Sequence, residues 1–280
     1  MSGYPSPSAL IADARLRLDK LGRDVGVLVV EGPSDKSLLQ GRYVPVGQII
    51  VAGSKSLVTG AHEILGDDPE SGLLFVVDCD YDVAAGELKG GDCLVITENA
   101  DLEGDLVALG LMQDVVLQIL PDRFPDPDAI AEDVVQTAAH VAEAIGHVRC
   151  HCRIRGPKIG FGRLDYSRLL AAFERRQDPK AIYRFFAKSC SPAPAPGEIA
   201  SCVQEGGQGL RVCNGHDVVA LVEVVLRDRY EVRSRRLGNL DAMLRLALDE
   251  RSFRRWSVAG RLKRWQSRTG RKILALELTS

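Results

Sequence analysis

Short apolar runs alternate with segments of helical periodicity over the first 120 residues of the chain. Four of the runs have the length of buried strands and are bounded by turn-forming residues, at 27–30 (VLVV), 48–52 (QIIVA), 72–77 (GLLFVV) and 93–97 (CLVIT). Capping residues and apolar spacing predict helices at 9–21, from 34, at 55–65 and at 101–110. Strands that alternate with helices over short links predict an α/β fold with a parallel sheet.

The pattern changes after the fourth predicted strand. The run 115–120 (VVLQIL) fits a fifth strand or the end of the preceding helical region, and a turn-rich segment at 121–128 (PDRFPDPD) is the best candidate for a domain boundary. We therefore expect a tail and short helix at 1–20, an α/β domain at 21–120 and a mostly helical domain at 121–280.

Helices dominate the predicted second half of the chain. Asp128 is expected to cap a helix whose apolar residues share one face: Ile130, Val134, Ala138, Val141 and Ile145. Further helices are predicted at 168–173, 179–186, 217–226 and 236–265, with a stiff proline-rich linker at 191–197.

The composition, with 45% hydrophobic and 26% charged residues, is typical of a globular protein. No apolar run approaches the roughly 20 residues that a membrane span requires. The amino terminus lacks a basic start followed by an apolar core, so we expect a cytoplasmic protein.

The formal charge of −2 conceals two oppositely charged segments. Residues 101–150 contain ten Asp and Glu against two Arg, a net of −8, whereas residues 251–280 contain nine Lys and Arg against one Glu, a net of +8. The basic segment, which includes Trp256 and Trp265, suits nucleic acid. A solvated helix face, or a helix that packs its tryptophans inward, is the alternative.

Acidic residues follow the first and third predicted strands. Glu31 and Asp35 follow the first strand, and Asp78, Asp80 and Asp82 follow the third. The carboxyl ends of parallel strands meet at one edge of the sheet, where ligands gather. In an extended segment the three alternating aspartates would point to the same side. Carboxylates this close together indicate a divalent cation, and oxygen ligands favour Mg²⁺.

Other residues add to this predicted site. Lys55, at the start of the second strand-connecting helix, suits a phosphate oxygen, and Asp101 and Glu103 follow the fourth strand, where a second metal could bind. For Asp35 and Asp101 a helix-capping role is the alternative, and for Lys55 an ordinary surface position.

Four soft ligands occur in the second half, namely Cys150, Cys152, Cys213 and His216. They could bind zinc, but their spacing is irregular, and buried cysteines with a hydrogen-bonded histidine are the alternative. His216 precedes an apolar helix, which it could cap.

The succession of motifs resembles that of the Toprim family. A glutamate in an EGxxD setting after the first strand, followed by DxD after the third, is the signature shared by topoisomerases, bacterial primases and OLD-family nucleases. The segments VVEGPSDKSLL, VAGSKSLV, FVVDCDYD and TENADLEGDLV are similar to the smaller Toprim proteins near the OLD group, including the Toprim effector of the PARIS anti-phage system. The resemblance covers about residues 20–110 and implies a Rossmann-like parallel sheet.

The resemblance also implies roles for these acids. Glu31 would be the catalytic glutamate, acting with Asp78 and Asp80, which would bind Mg²⁺ or Mn²⁺. The acidic site would be completed by Asp35, Asp101 and Glu103, with Asp82 peripheral.

We therefore expect a Mg²⁺-dependent nuclease that hydrolyses phosphodiester bonds, with RNA such as tRNA favoured over DNA. The resemblance implies a toxic effector in prokaryotic anti-phage defence, with an ABC-type ATPase as a partner, and a homo-oligomer is a further possibility. The alternative is a non-catalytic Toprim module that binds nucleic acid or a partner ATPase complex. GSKS at 53–56 lacks the upstream glycine of a P-loop, which argues against ATP binding by this chain.

Overall fold

The computed structural model describes residues 4–83, 85–156, 161, 164–187, 197–199 and 209–275. Its strands are β1 (Val27–Val30), β2 (Ile49–Val51), β3 (Leu73–Val77) and β4 (Leu94–Ile96). The helices up to residue 156 are α1 (Pro7–Leu21), α2 (Pro33–Leu39), α3 (Lys55–Leu65), α4 (Leu102–Ala108), α5 (Leu111–Ile119) and α6 (Pro127–Arg155). Those that follow are α7 (Tyr166–Glu174), α8 (Lys180–Ala187), α9 (Gly215–Asp228), α10 (Ser234–Leu237), α11 (Leu240–Ala247), α12 (Glu250–Arg255) and α13 (Ser257–Thr269).

The four strands form one parallel sheet in the order β2-β1-β3-β4. Leu28 pairs with Ile49 on one side of β1, and Val29 pairs with Phe75 on the other. Every residue of β1 and β3 is buried, because both strands lie inside the sheet and helices pack around it. The four predicted strands are confirmed, and residues 115–120 belong to the helical region rather than to a fifth strand.

The chain forms two compact units. We call the described residues of 1–78, 89–97 and 249–280 the sheet unit, and those of 79–88 and 98–248 the helical unit. The sheet unit therefore includes both ends of the described chain. The predicted boundary at residues 121–128 lies within the helical unit and stays a prediction.

The carboxy-terminal segment of the sheet unit is bound to the amino end of β1. The carbonyl of Lys272 accepts from the N–H of Gly26 at 2.9 Å, and the N–H of Lys272 donates to the carbonyl of Asp24 at 2.7 Å. The buried side chain of Gln48 donates to the carbonyls of Gly26 and Lys272, at 2.9 and 2.7 Å. One buried amide therefore satisfies two backbone acceptors from distant parts of the chain.

Aromatic side chains fill the core beneath this segment. The ring of Tyr43 stacks on that of Phe253, with centroids 3.9 Å apart. Trp256 and Trp265 are both 2% exposed, so the tryptophans pack inward. A Cβ atom at Gly26 would lie 2.5 Å from two ring carbons of Trp265, and only glycine fits there.

The helical unit is built around α6, against which α9 packs. Four residues of the predicted apolar face are buried, namely Val134, Ala138, Val141 and Ile145. The backbone of Val212 packs closely against Gly146 of α6. A Cβ atom at Gly146 would lie 2.0 Å from the carbonyl oxygen of Val212. Asp126, and not Asp128 as predicted, caps α6, because Pro127 occupies the first helical position and the Asp126 carboxylate accepts from the N–H of Ala129 at 3.1 Å.

Several predicted helices are present, and one is divided. α7, α8 and α9 agree with the predictions at 168–173, 179–186 and 217–226. The region predicted to be helical at 236–265 contains a series of four helices, α10 to α13, interrupted at Gly238, Leu248 and Trp256. The predicted linker lies outside the described residues except for Gly197. None of the helices in the described part of the chain is both long and apolar enough to cross a membrane.

Replacing Gly26 by alanine should destabilise the protein by about 1–3 kcal/mol, because the added methyl group overlaps the Trp265 ring. Urea unfolding should show a lower midpoint with an unchanged slope. Gly47→Ala is the matched control, since its methyl group would lie 3.6 Å from the nearest atom, an ordinary contact. Equal midpoints for the two variants would contradict the packing described above.

Candidate functional site

The candidate site lies at the carboxyl edge of the sheet, between β1 and β3. From β1 the chain continues to β2 on one side, and β3 then pairs with β1 on the other side. Strand order therefore reverses between β1 and β3. In open parallel sheets, ligands bind beyond the carboxyl ends of the strands at such a switch point.

Glu31 occupies the switch point and is bonded to both neighbouring strand ends. Its side-chain Oε1 accepts from the backbone N–H of Asp78, which follows β3, at 2.8 Å. Its backbone carbonyl accepts from the N–H of Gly53, which follows β2, at 2.9 Å. The carboxylate of Glu31 is thus held at the middle of the edge.

Asp35 shapes the turn that follows Glu31. Its Oδ2 accepts from the N–H of Gly32 at 2.7 Å, and its Oδ1 accepts from the Ser34 hydroxyl at 3.2 Å. The side chain is buried in the first turn of α2, where an acid stabilises the helix. The capping role is therefore present, and the role as a metal ligand stays a prediction.

Lys55 begins α3, directly after the loop that is bonded to Glu31. The hydroxyl of Ser54 caps this helix by accepting from the N–H of Leu57 at 3.4 Å. Gly53 has a φ of 98°, a conformation that glycine adopts without strain. Lys55 therefore lies two residues after Gly53, whose N–H contacts Glu31 directly. Its phosphate-binding role stays a prediction.

The aspartates after β3 do not form the extended segment that would point all three to one side. Asp80 has a φ of 46°, and its N–H donates to the carbonyl of Ala100 at 2.6 Å. This left-handed residue, a conformation that aspartate tolerates, turns the chain, so the expected alternation ends there. Asp82 accepts from Nε of Arg153 at 2.8 Å, and the same guanidinium contacts Glu87. Asp78 is the last residue of this stretch in the sheet unit, and Asp80 belongs to the helical unit.

The acids after β4 are buried and bonded to protein groups. Asp101 caps α4 and accepts from the N–H of Gly104 at 2.7 Å and from that of Gly215 at 2.9 Å. Glu103, with 6% of its side chain exposed, forms an ion pair with Arg245 at 2.7 Å. These contacts fix α4 within the helical unit, and the predicted second metal site stays a prediction.

Two titratable groups of the helical unit have shifted pKa values. Burial, together with the charge of Glu103, raises the pKa of Asp101 to about 7 against the effect of its N–H donors. The hydrogen bond between His216 Nδ1 and Asp241 Oδ1, at 3.2 Å, raises the pKa of His216 to about 9. His216 does not cap α9, because Asn214 accepts from the N–H of Asp217 and takes that position.

The sequence interpretation missed a buried ion pair in the helical unit. Asp217 is 1% exposed and accepts from Arg149 through two bonds, at 3.1 and 2.9 Å. The hydroxyl of Tyr166 donates to the same carboxylate at 2.7 Å. Residues 149 and 217 are 68 positions apart, so no local pattern could indicate the pair.

Among the described residues, no group of three or more His, Cys, Asp or Glu is arranged to hold a metal ion. Mg²⁺, however, is commonly bound by one or two carboxylates together with waters and substrate phosphates. The hydrogen bond from the N–H of Asp78 brings the backbone of Asp78 to the Glu31 carboxylate, and both residues carry the oxygen ligands that Mg²⁺ prefers. The chemistry of this donor set fits Mg²⁺. The four soft ligands weighed for zinc do not form such a group.

We expect the pKa of His216 to fall by about one pH unit or more in Asp241→Asn, because the neutral amide no longer favours the imidazolium. An NMR titration of the ring protons would measure this. Since the folded-state pKa of His216 is raised and that of Asp241 is lowered, the stabilising contribution of the pair is complete between about pH 4 and pH 6.5. It is lost as pH rises through about 9, and again as pH falls through the lowered pKa of Asp241. Asp228→Asn, at the other end of α9, is the control, and an unchanged pKa in Asp241→Asn would refute the contact.

Comparisons with protein-family models and with curated protein sequences found no match. The structure has a parallel sheet flanked by helices and a largely helical remainder, which agrees with an α/β fold. The resemblance to Toprim proteins therefore rests on the motifs quoted from the sequence.

Proposed function

We propose that the protein is a Mg²⁺-dependent Toprim nuclease that hydrolyses phosphodiester bonds in nucleic acid. The observation that supports this most directly is the hydrogen bond between Glu31 Oε1 and the N–H of Asp78. It joins the glutamate and the first aspartate of the Toprim-like motifs at the switch point of the sheet.

In this proposal Glu31 positions the attacking water and accepts its proton. The bond from Asp78 fixes one carboxylate oxygen, so the sheet sets the position of the base. Asp78 and Asp80 would hold Mg²⁺, with Asp35, Asp101 and Glu103 as the further predicted acids. When bound, the ion would neutralise charge on the phosphate and lower the pKa of the water.

Lys55 would bind the substrate phosphate in the same proposal. The amino end of α3 presents backbone N–H groups, and the loop before it is bonded to Glu31. A phosphate oxygen bound there would lie beside the catalytic glutamate, as in-line attack on phosphorus requires.

The substrate, the defence role and the ATPase partner come from the resemblance alone. On that basis we propose RNA such as tRNA in preference to DNA, and a toxic effector in prokaryotic anti-phage defence. An ABC-type ATPase and further copies of the chain would be its partners, and the cytoplasm its location.

Purified protein should cleave tRNA or plasmid DNA with Mg²⁺ or Mn²⁺ and should not do so in EDTA. Glu31→Gln should lower the rate by about 100-fold or more, because it removes the base but keeps an oxygen that can accept from Asp78. Gel analysis of timed digests would measure this loss. Glu63→Gln, on the exposed surface of α3, is the matched control and should retain full activity.

Two outcomes would contradict the nuclease proposal. One is cleavage that persists in EDTA or in Glu31→Gln. The other is nucleic-acid binding with no cleavage under any metal, which would support the non-catalytic module instead.

Measurements of Mn²⁺ affinity should distinguish the roles of the three aspartates after β3. Asp78→Asn and Asp80→Asn should each weaken Mn²⁺ binding by about 10-fold or more, since each removes a proposed ligand. Asp82→Asn should change it by less than about 3-fold, because Arg153 already engages that carboxylate. Calorimetric titration with Mn²⁺ would measure the affinities, and equal effects for all three variants would refute the assignment.

A further inference from the structure

A basic groove lies on the sheet unit along α13. Its volume is about 740 Å³, and it is lined by Gly91, Asp92 and Val95 together with the α13 side chains that include Arg261, Lys263, Arg264 and Arg268. Gly91 and Asp92 precede β4, so the groove lies toward the amino ends of the strands. Glu31 and Asp78 lie at the carboxyl ends, and a five-residue strand such as β3 separates the two edges by about 16 Å.

The acidic residues near the groove are engaged by other groups. Asp92 forms an ion pair with Arg268. Asp67 accepts from the N–H groups of Asp92 and Cys93, at 2.7 and 2.5 Å, which closes the loop before β4.

Three cations of the groove have no such partner. In the described part of the chain, no ion pair joins Arg261, Lys263 or Arg264 to an acidic side chain. Arg261 extends along the loop before β4, since a Cβ atom at Gly90 would lie 3.4 Å from its Nη1. The groove therefore has a net positive charge available for an anionic ligand.

The cations are spaced along one face of the helix. Arg261, Arg264 and Arg268 lie at i, i+3 and i+7, which is a single helical face. At 1.5 Å per residue they span about 10 Å, and phosphates on one nucleic-acid strand rise about 3.4 Å each along the axis. The row, of which only Arg268 is already paired, with Asp92, therefore extends over about three phosphate-to-phosphate steps of a strand.

The same helix is unsuited to a membrane surface. Its apolar side chains, Val258, Leu262 and Trp265, are buried in the core of the sheet unit. An amphipathic helix that lies in a membrane interface inserts an exposed apolar face, and in α13 that face is buried in the protein.

We propose that this α13 groove binds the phosphate backbone of nucleic acid at a position separate from the carboxyl edge of the sheet. Binding there is electrostatic and sequence-independent, so it would hold any strand and leave the choice of cleaved bond to the other edge. The inference is independent of the proposed hydrolysis, because a non-catalytic module would use the groove in the same way.

The test measures binding of labelled RNA and DNA 20-mers, single- and double-stranded, by fluorescence anisotropy over a range of salt in EDTA. The variant combines Arg261→Gln, Lys263→Gln and Arg264→Gln. It should bind about 10-fold or more weakly near 0.1 M salt, and the slope of log affinity against log salt should fall by about 2 to 3. The matched control, with the same loss of charge at a smaller basic groove of the helical unit, combines Arg175→Gln, Arg176→Gln and Arg184→Gln.

An unchanged affinity and slope in the α13 variant, or an equal loss in both triple variants, would overturn the proposal. So would a wild-type protein that binds anionic vesicles but no nucleic acid. The urea midpoint should match wild type, and Arg261→Lys with Arg264→Lys should retain the affinity; weak binding by this lysine variant would count against a charge-based site. Because EDTA prevents metal-dependent cleavage, these results do not depend on whether the nuclease proposal holds.

Discussion

A parallel sheet brings the carboxyl ends of its strands to one edge. In this protein the hydrogen bond from the N–H of Asp78 to Glu31 joins the ends of β1 and β3, where the candidate site lies. The Glu31 carbonyl is bonded to Gly53 in the same way, so the segments after β1, β2 and β3 are linked at one residue. The positions of α2 and α3 follow from that residue, because both helices begin within these segments. The candidate site is therefore a property of the sheet rather than of a mobile loop.

The strands could be predicted from the sequence because each is a short, continuous apolar run, which is the pattern of a strand buried on both faces. The run at 115–120 has the same composition and lies in α5, since periodicity cannot distinguish a buried helix from a buried strand over so few residues. The helical prediction at 236–265 did not give the boundaries of the four helices there, although Asn239 and Asp249, which cap α11 and α12, are local signals of two of the breaks. The break at Trp256 has no side-chain cap, and only the burial of its indole marks it.

The acids could be located from the sequence, but their partners could not. Asp101 and Glu103 are bonded to Gly215 and Arg245, more than 100 positions away along the chain. The left-handed turn at Asp80 depends on the carbonyl of Ala100, and no residue near Asp80 indicates it. The sequence alone therefore identified which residue types gather after the strands. The structure showed that several of them also stabilise the helices on which they lie.

The bond between Gln48 and Lys272 closes the sheet unit across 224 residues. A ribosome that adds about 5–20 residues per second needs about 10–45 s to make that stretch, so residues 98–248 emerge before the sheet unit has its last segment. During synthesis the side-chain amide of Gln48 lacks its acceptor on Lys272 until that residue is made. The space over Gly26 is likewise unfilled until Trp265 is made. The nascent chain therefore cannot complete the sheet unit, with its candidate acidic edge and its basic groove, until Lys272 has left the ribosome.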